Sequence, residues 1–384
     1  VLYRSRRILA LLVLTAGLGT ACAGTDVADR DPYPVHPVQG DYDDTPSLAR
    51  GILVESLRIG ERLLFADRID PDLTRGRGGG VVVDHRGVRE LLSGAQLRAL
   101  SSFDVYAGFG AIAADVDQHN AEAKKSLSIT ILSFADEATA EQAAAAMAAE
   151  DFAANVDNVP VPVPGFPAAL SHWRPGISTV GSWMVWKNLV LRVFAKIAEP
   201  NEQQLTDVVS RTYTAQLAEL GTFTPTPVAD LPGLRLDRDA LLPRLVKTGD
   251  YAPDKQTFAV YGPRAYALLV DHPARQAQEY LAGGIDAVAV SHNKFLYRTA
   301  GPDSAAAYAE QTVQRLTAGN YVAMSGPSDA HCFRRLRPSV EAIEARRFTC
   351  LIVEGRFVTQ IFSNDDPDIR WLAQAQQAVL AESR

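Results

Sequence analysis

The stretch SWMVWKNLVLRVFAKI (182–197) has a counterpart in RFTCLIVEGRFVTQIF (347–362), and this pair decides the fold. Each holds two runs of β-branched and aromatic residues around a turn signal. The signals are Lys187-Asn188 and Glu354-Gly355. Asn and Gly accept the positive φ of a two-residue turn, so both stretches read as β-hairpins. The same order of elements then recurs outward. A strand precedes each hairpin, SLSITILSF (126–134) or KFLYRT (294–299). Next, Asp136 stands before EATAEQAAAAMAAEDF and Asp303 before SAAAYAEQTVQRL, both as helix caps. In the second of these helices Ala306, Ala309, Val313 and Leu316 make one apolar face. Closing helices follow at 199–220 and 366–382, with Pro200 and Pro367 near the first turn, where Pro is tolerated.

At an offset of 167 residues Asp136 matches Asp303, Asn188 matches Gly355 and Pro200 matches Pro367. Shorter echoes are GDY at 40–42 and 249–251, and VDH at 83–85 and 270–272, where Asp84 and Asp271 read as helix caps. The chain thus reads as an α+β protein of two homologous domains. Each is a mostly antiparallel sheet with helices packed on one face. The first domain is placed at 45–222 and the second at 223–384, with the linker GTFTPTPVADLPG (221–233) around the junction. GRGGG (76–80) and DVDQHNAEAKK (115–125) read as surface loops.

Ahead of the domains, Arg4, Arg6 and Arg7 precede the apolar run Ile8 to Leu18. That run is too short to span a bilayer, which takes about 20 residues, and has the length of a signal-peptide core. Gly19, Thr20 and Ala21 lead into Cys22. The arrangement resembles a bacterial lipobox, in which the Cys is acylated and becomes the first mature residue. Gly19 stands where that pattern has an aliphatic residue, with Leu18 one step earlier. Residues 1–21 are therefore read as signal peptide, and 22–44, rich in Pro, Asp and Gly, as a lipidated N-terminus and flexible tether. Cleavage by ordinary signal peptidase nearby and retention as an uncleaved anchor are the competing readings. Two acyl chains on Cys22 would hold the chain on the outer face of the cell membrane where one would not.

Hydrophobic residues make up 47% of the chain, enough for real cores. Net charge is −7, and the signal segment takes away three Arg and no acid. An acidic body excludes nucleic acid, whose phosphates need clustered Lys and Arg. With Cys22 assigned, Cys332 and Cys350 remain, and an exported pair tends to form a disulfide. A zinc site with His331 lacks the paired spacing and a fourth ligand. At the 167 offset Cys350 meets Trp183 and Cys332 meets Gly165, so Trp183 is expected to fill the disulfide's space in the first copy.

No catalytic residues, cofactor or metal site emerge. GISTVG (176–181) misses the G-x-S-x-G spacing. GFGAIA (108–113) has no acid about 20 residues on to hold a ribose. NDDPD (364–368) reads as acids at a helix N-terminus rather than a calcium loop. His85 and His272 each follow an Asp, yet neither has a nucleophile beside it in sequence. Trp183 and Trp186 read as sheet residues, one per face.

The Cys22 region, the GDYDDTP stretch, the segment ARGILVESLRIGERLLFADRIDPDLTRG (49–76) and the duplicated body together resemble an uncharacterised family of actinobacterial exported lipoproteins, known as a domain of unknown function. The resemblance implies a cell-envelope location and a non-enzymatic role, with no catalytic residues to carry over. The expected function is a membrane-anchored, extracytoplasmic binding or scaffolding module for a lipid, glycolipid or envelope protein. An envelope hydrolase is the alternative, and it requires a nucleophile–base or two-carboxylate constellation in a cleft.

Overall fold

The computed structural model describes residues 32–84, 87–89, 91–117, 122–249, 257–337 and 346–383. Cys22 and the whole signal segment lie outside these, as does His85. The first half runs α1 (Leu48–Gly60), β1 (Arg75–Val81), α2 (Gly94–Leu100), β2 (Ala107–Ala114), β3 (Ser126–Ser133), α3 (Glu137–Ala153), β4 (Val159–Pro160), β5 (Leu170–Trp173), β6 (Thr179–Trp186), β7 (Leu189–Lys196) and α4 (Glu202–Leu220). The second runs β8 (Phe258–Tyr261), α5 (Pro263–Ala267), α6 (Pro273–Ala282), β9 (Ala287–Ser291), β10 (Lys294–Arg298), α7 (Pro302–Ala318), β11 (Tyr321–Met324), β12 (Ala330–Arg335), β13 (Phe348–Glu354), β14 (Phe357–Ser363) and α8 (Asp366–Glu382).

Each half builds one antiparallel seven-stranded sheet, ordered β1-β2-β3-β7-β6-β5-β4 and, read from the corresponding edge, β8-β9-β10-β14-β13-β12-β11. The orders are the same, so the α+β duplication holds strand for strand. Both hairpins form where expected, with Trp186 paired to Leu189 and Glu354 to Phe357. The turns are therefore Lys187-Asn188 and Gly355-Arg356, and the positive φ falls on Lys187 and Gly355.

A constant offset of 167 does not hold. Gly355 is equivalent to Lys187, not to Asn188. The cap equivalent to Asp136 is Gly301, so Asp303 lies inside the first turn of α7. Asn201 and Asp365 cap α4 and α8, which leaves Pro200 just before one helix and Pro367 inside the other. His272, not Asp271, occupies the cap position of α6, and Asp84 accepts the Gly87 N–H of a turn. GRGGG is no loop, since it forms most of β1, with an irregular register between Gly76 and Gly79.

Helices cover both faces of the first sheet, not one. Alternate residues of a strand face opposite ways. Leu132 and Val190 pack with Ala143, Ala144 and Met147 of α3, while Ile129, Ile131, Leu191 and Val193 pack with α1 and α4. The second sheet repeats this. Tyr297 meets Tyr308 of α7, and on the opposite face Lys294 lies in the field of Asp368 on α8.

Residues 33–44, expected to be tether, are docked rather than free. Tyr33 donates to Asp368, and Tyr42 sets its ring edge-on to Phe258, 5.2 Å between centroids. Buried Arg50 gathers this segment and the linker. Its guanidinium donates to the carbonyls of Tyr42, Thr45, Pro232 and Leu234, and lies 3.2 Å from Asp43. Gly51 is required at the same contact, because a Cβ there would stand 2.0 Å from the Leu231 carbonyl oxygen.

Candidate functional site

Cys332 and Cys350 stand directly opposite on β12 and β13 and form a disulfide. Strand pairing identifies their equivalents in the first sheet. Cys350 pairs with Ile361 on β14, and Ser182 pairs with Val193, which holds the same place on β7. The matched pair is therefore Ser171 and Ser182, whose hydroxyls lie 2.5 Å apart. Tyr213 of α4 donates to Ser182 at 2.7 Å. Trp183 does not fill the disulfide's space. One residue along, it points to the α3 side of the sheet, away from Trp186.

An open apolar concavity lies on that side, at the β4 edge. Asp136 caps α3 by accepting the Thr139 N–H at 2.7 Å. Nine of the 17 residues of α3 are Ala. Ala140, Ala143, Ala144 and Ala148 bring the helix down on the sheet. On its edge-facing side, Ala145 and Ala149 are too short to close the space. The result is a groove of about 560 Å³ between α3 and β4–β5. Phe152, Pro160, Val161, Pro162, Leu170 and His172 complete its walls. Four of the large exposed apolar side chains gather nearby in the chain: Phe152, Val156, Val159 and Leu170. The sheet edge itself is blunted, since β4 is two residues long and Pro160 has no N–H to offer a further strand.

A polar cluster lies behind the groove. His172 Nε2 is 3.2 Å from Asp151 Oδ2, and its ring stacks on Trp183 and meets Phe152 edge-on. Asp151 Oδ1 accepts from Ser93 Oγ and Gln96 Nε2, each at 2.8 Å, which ties α2 to α3. Burial pushes the Asp151 carboxyl up. The hydrogen bonds from His172, Gln96 and Ser93 outweigh that and hold it below the usual value. Deeper still, Arg192 donates to Ser128 Oγ at 3.2 Å, and desolvation brings it down to about 10. The cluster offers no nucleophile to His172, because Ser93 is bonded to the carboxylate and not to the imidazole. His272 faces Arg75 across the domain boundary.

A second concavity of about 430 Å³ lies between the domains, walled by Phe65, Arg68, Arg264 and Leu281. Several of its polar groups tie the halves together. Glu61 accepts the Ala265 N–H at 2.6 Å, Arg264 donates to the Glu61 carbonyl at 3.0 Å, and Glu219 holds both Arg68 and Arg264. Two of the three carboxylates of NDDPD serve their helix: Asp365 accepts the Asp368 N–H, and Asp366 pairs with Arg370, while Asp368 accepts from Tyr33 and Ser363. Among the described residues no group of three or more His, Cys, Asp or Glu is placed to hold a metal.

The model of the N-terminal part of a domain of unknown function, DUF7373, matches residues 42–236, and that of its C-terminal part matches 241–383. The chain belongs to the DUF7373 family. The disulfide is thus a feature of the DUF7373 C-terminal part here, and the groove a feature of the N-terminal part. Among solved structures, the chain is similar to the extracellular domain of PknH from Mycobacterium tuberculosis. Identity is 13%, over 41% of this chain and 96% of that one, with a TM-score of 0.31. No curated protein matches.

The sequence reading misses the groove, the Asp151–His172 pair and the Ser171–Ser182 pair. The alanine run of α3 is the one visible signal for the groove.

Proposed function

We propose that this chain is exported, acylated on Cys22 and held on the outer face of the cell membrane, where its first domain binds the apolar part of a lipid or glycolipid. The groove beside α3 carries the reading. Its volume lies within the roughly 300–1,000 Å³ typical of small-molecule sites, and its walls are mostly apolar, with Ser171 and His172 as the polar groups. At about 0.8 kcal/mol per methylene, eight buried methylenes would supply about 6 kcal/mol before the cost of association. The signal-like N-terminus supports export, and the cross-strand disulfide fits an oxidising compartment.

Ala149 is exposed on the groove wall, so Ala149→Trp fills the groove without entering the core. Wild-type protein isolated from membranes should carry a co-purifying lipid that mass spectrometry of an extract reveals, and the variant should lose it. A wild type free of lipid, or a variant that retains it, would refute the reading.

A further inference from the structure

The N-terminal segment of the described chain lies on one particular helix. Tyr33 donates to Asp368, at the start of α8, and His36 faces Glu382, at its end, so residues 33–36 lie along that helix. Tyr33 follows Cys22 by eleven residues. Fully extended, that length reaches no more than about 40 Å. A compact body of about 350 residues has a radius of roughly 26 Å, so half its girth is about 80 Å. The tether therefore cannot wrap to the far side of the body. If Cys22 is anchored, α8 cannot lie on the side of the body that faces away from the bilayer.

That helix is suited to the position. Trp371 is 46% exposed, although it is a large apolar residue on a helix whose opposite side is core. At 100° per residue Trp371 and Glu382 fall within about 20° of each other, on the side where the N-terminal segment lies. From Trp371 to Ala381 the helix carries no charged residue, and the uncharged Gln374 and Ala381 are exposed with the tryptophan. Trp is the side chain that settles at headgroup depth, with its ring in apolar surroundings and its N–H wet. One Trp would not recruit a free protein to a membrane. Beside a covalent anchor it need not, because the tether holds the local concentration high.

We propose that the α8 face of the second domain, centred on Trp371, rests on the surface of the bilayer. The inference rests on the Cys22 anchor. A second protein at this face is the competing occupant.

The test uses the full-length lipoprotein in phosphatidylcholine vesicles containing an acceptor-labelled lipid. A donor dye is placed on Gln374→Cys, an exposed position on α8, or on Glu141→Cys, an exposed position on α3. Energy transfer to the membrane should be at least twofold greater from position 374, and Trp371→Ser should lower it. Equal transfer from both sites, or greater transfer from position 141, overturns the orientation while leaving the anchor in place. A wild-type chain that does not stay with the vesicles overturns the anchor reading, and this inference with it.

Discussion

Lys294 is a charge buried where the duplicated fold places an apolar residue. It is the first residue of β10, pairs with Ile361, and has no exposed surface. The equivalent pair in the first sheet is Ile129 with Val193, so an isoleucine holds this position there. Desolvation brings the Lys294 amine down to about 8, against an upward pull from Asp368. Relative to an unfolded value of about 10.4, this is roughly 3 kcal/mol of penalty at neutral pH. Lys294→Met removes that penalty. It also removes the hydrogen bonds to Thr248 Oγ1 at 2.5 Å and Asn293 Oδ1 at 3.2 Å, at a cost of about 1–2 kcal/mol together. The net expectation is a gain of about 1–2 kcal/mol at pH 7. Because the folded pKa is depressed, the wild type bears the full penalty below pH 8 and is relieved of it as pH rises toward 10.4. The variant should be flat across that window. Urea denaturation of both proteins at pH 7 and pH 10 measures this, and the gap should close at pH 10. A variant less stable at pH 7, or a gap unchanged at pH 10, would refute the reasoning and show that Lys294 is held by interactions worth more than its desolvation.

Other expectations follow from the same geometry. The double substitution Ser171→Cys with Ser182→Cys should form a second cross-strand disulfide, since the pair occupies the register of Cys332 and Cys350. Mass spectrometry before and after reduction would detect it, and free thiols at both positions would contradict the equivalence. Gln376 accepts the Val246 N–H at 3.0 Å and donates to the Arg244 carbonyl at 2.7 Å, as Gln216 does for Leu64 and Arg62. Gln376→Ala should cost about 2–3 kcal/mol by leaving both buried groups unpaired, and chemical denaturation would show a loss below 0.5 kcal/mol if that is wrong. Asp151 is depressed in the fold, so the stability it adds is present above about pH 4 and is lost as pH falls through its folded value. Asp151→Asn should therefore weaken the protein at pH 7 yet flatten the acid limb of its stability profile. An unchanged acid limb would count against the hydrogen bonds assigned to this carboxylate.

Much of the architecture is legible in the sequence because it depends on local chemistry. The hairpins follow from β-branched runs and turn residues, and the Asp136 cap from one side chain and one N–H. The disulfide follows from the cysteine count and from the export expected of the N-terminal segment. What fails is equivalence at a distance. Small insertions between elements shift the register, so hairpin and flanking helices do not share one offset. For that reason GDY and VDH mislead, whereas Arg62-Leu63-Leu64 and Arg244-Leu245-Val246, each bracketed by a glutamine amide, are the deeper repeat. One residue of slip also inverts a strand's faces, which is why a fixed offset gives Trp183 the disulfide's space and passes over Ser182. The groove is hidden for another reason. It consists of volume that small side chains fail to fill, and only the packed neighbours of α3 reveal it.

The central claim is that an anchored body carries an apolar ligand in this groove. Native mass spectrometry of the chain released from its own membranes tests it most directly. The mature chain should begin at a diacylated Cys22 and carry a bound lipid, and that lipid should be absent from Ala149→Trp. A chain without lipid, or a variant that binds it as well as the wild type, would contradict it.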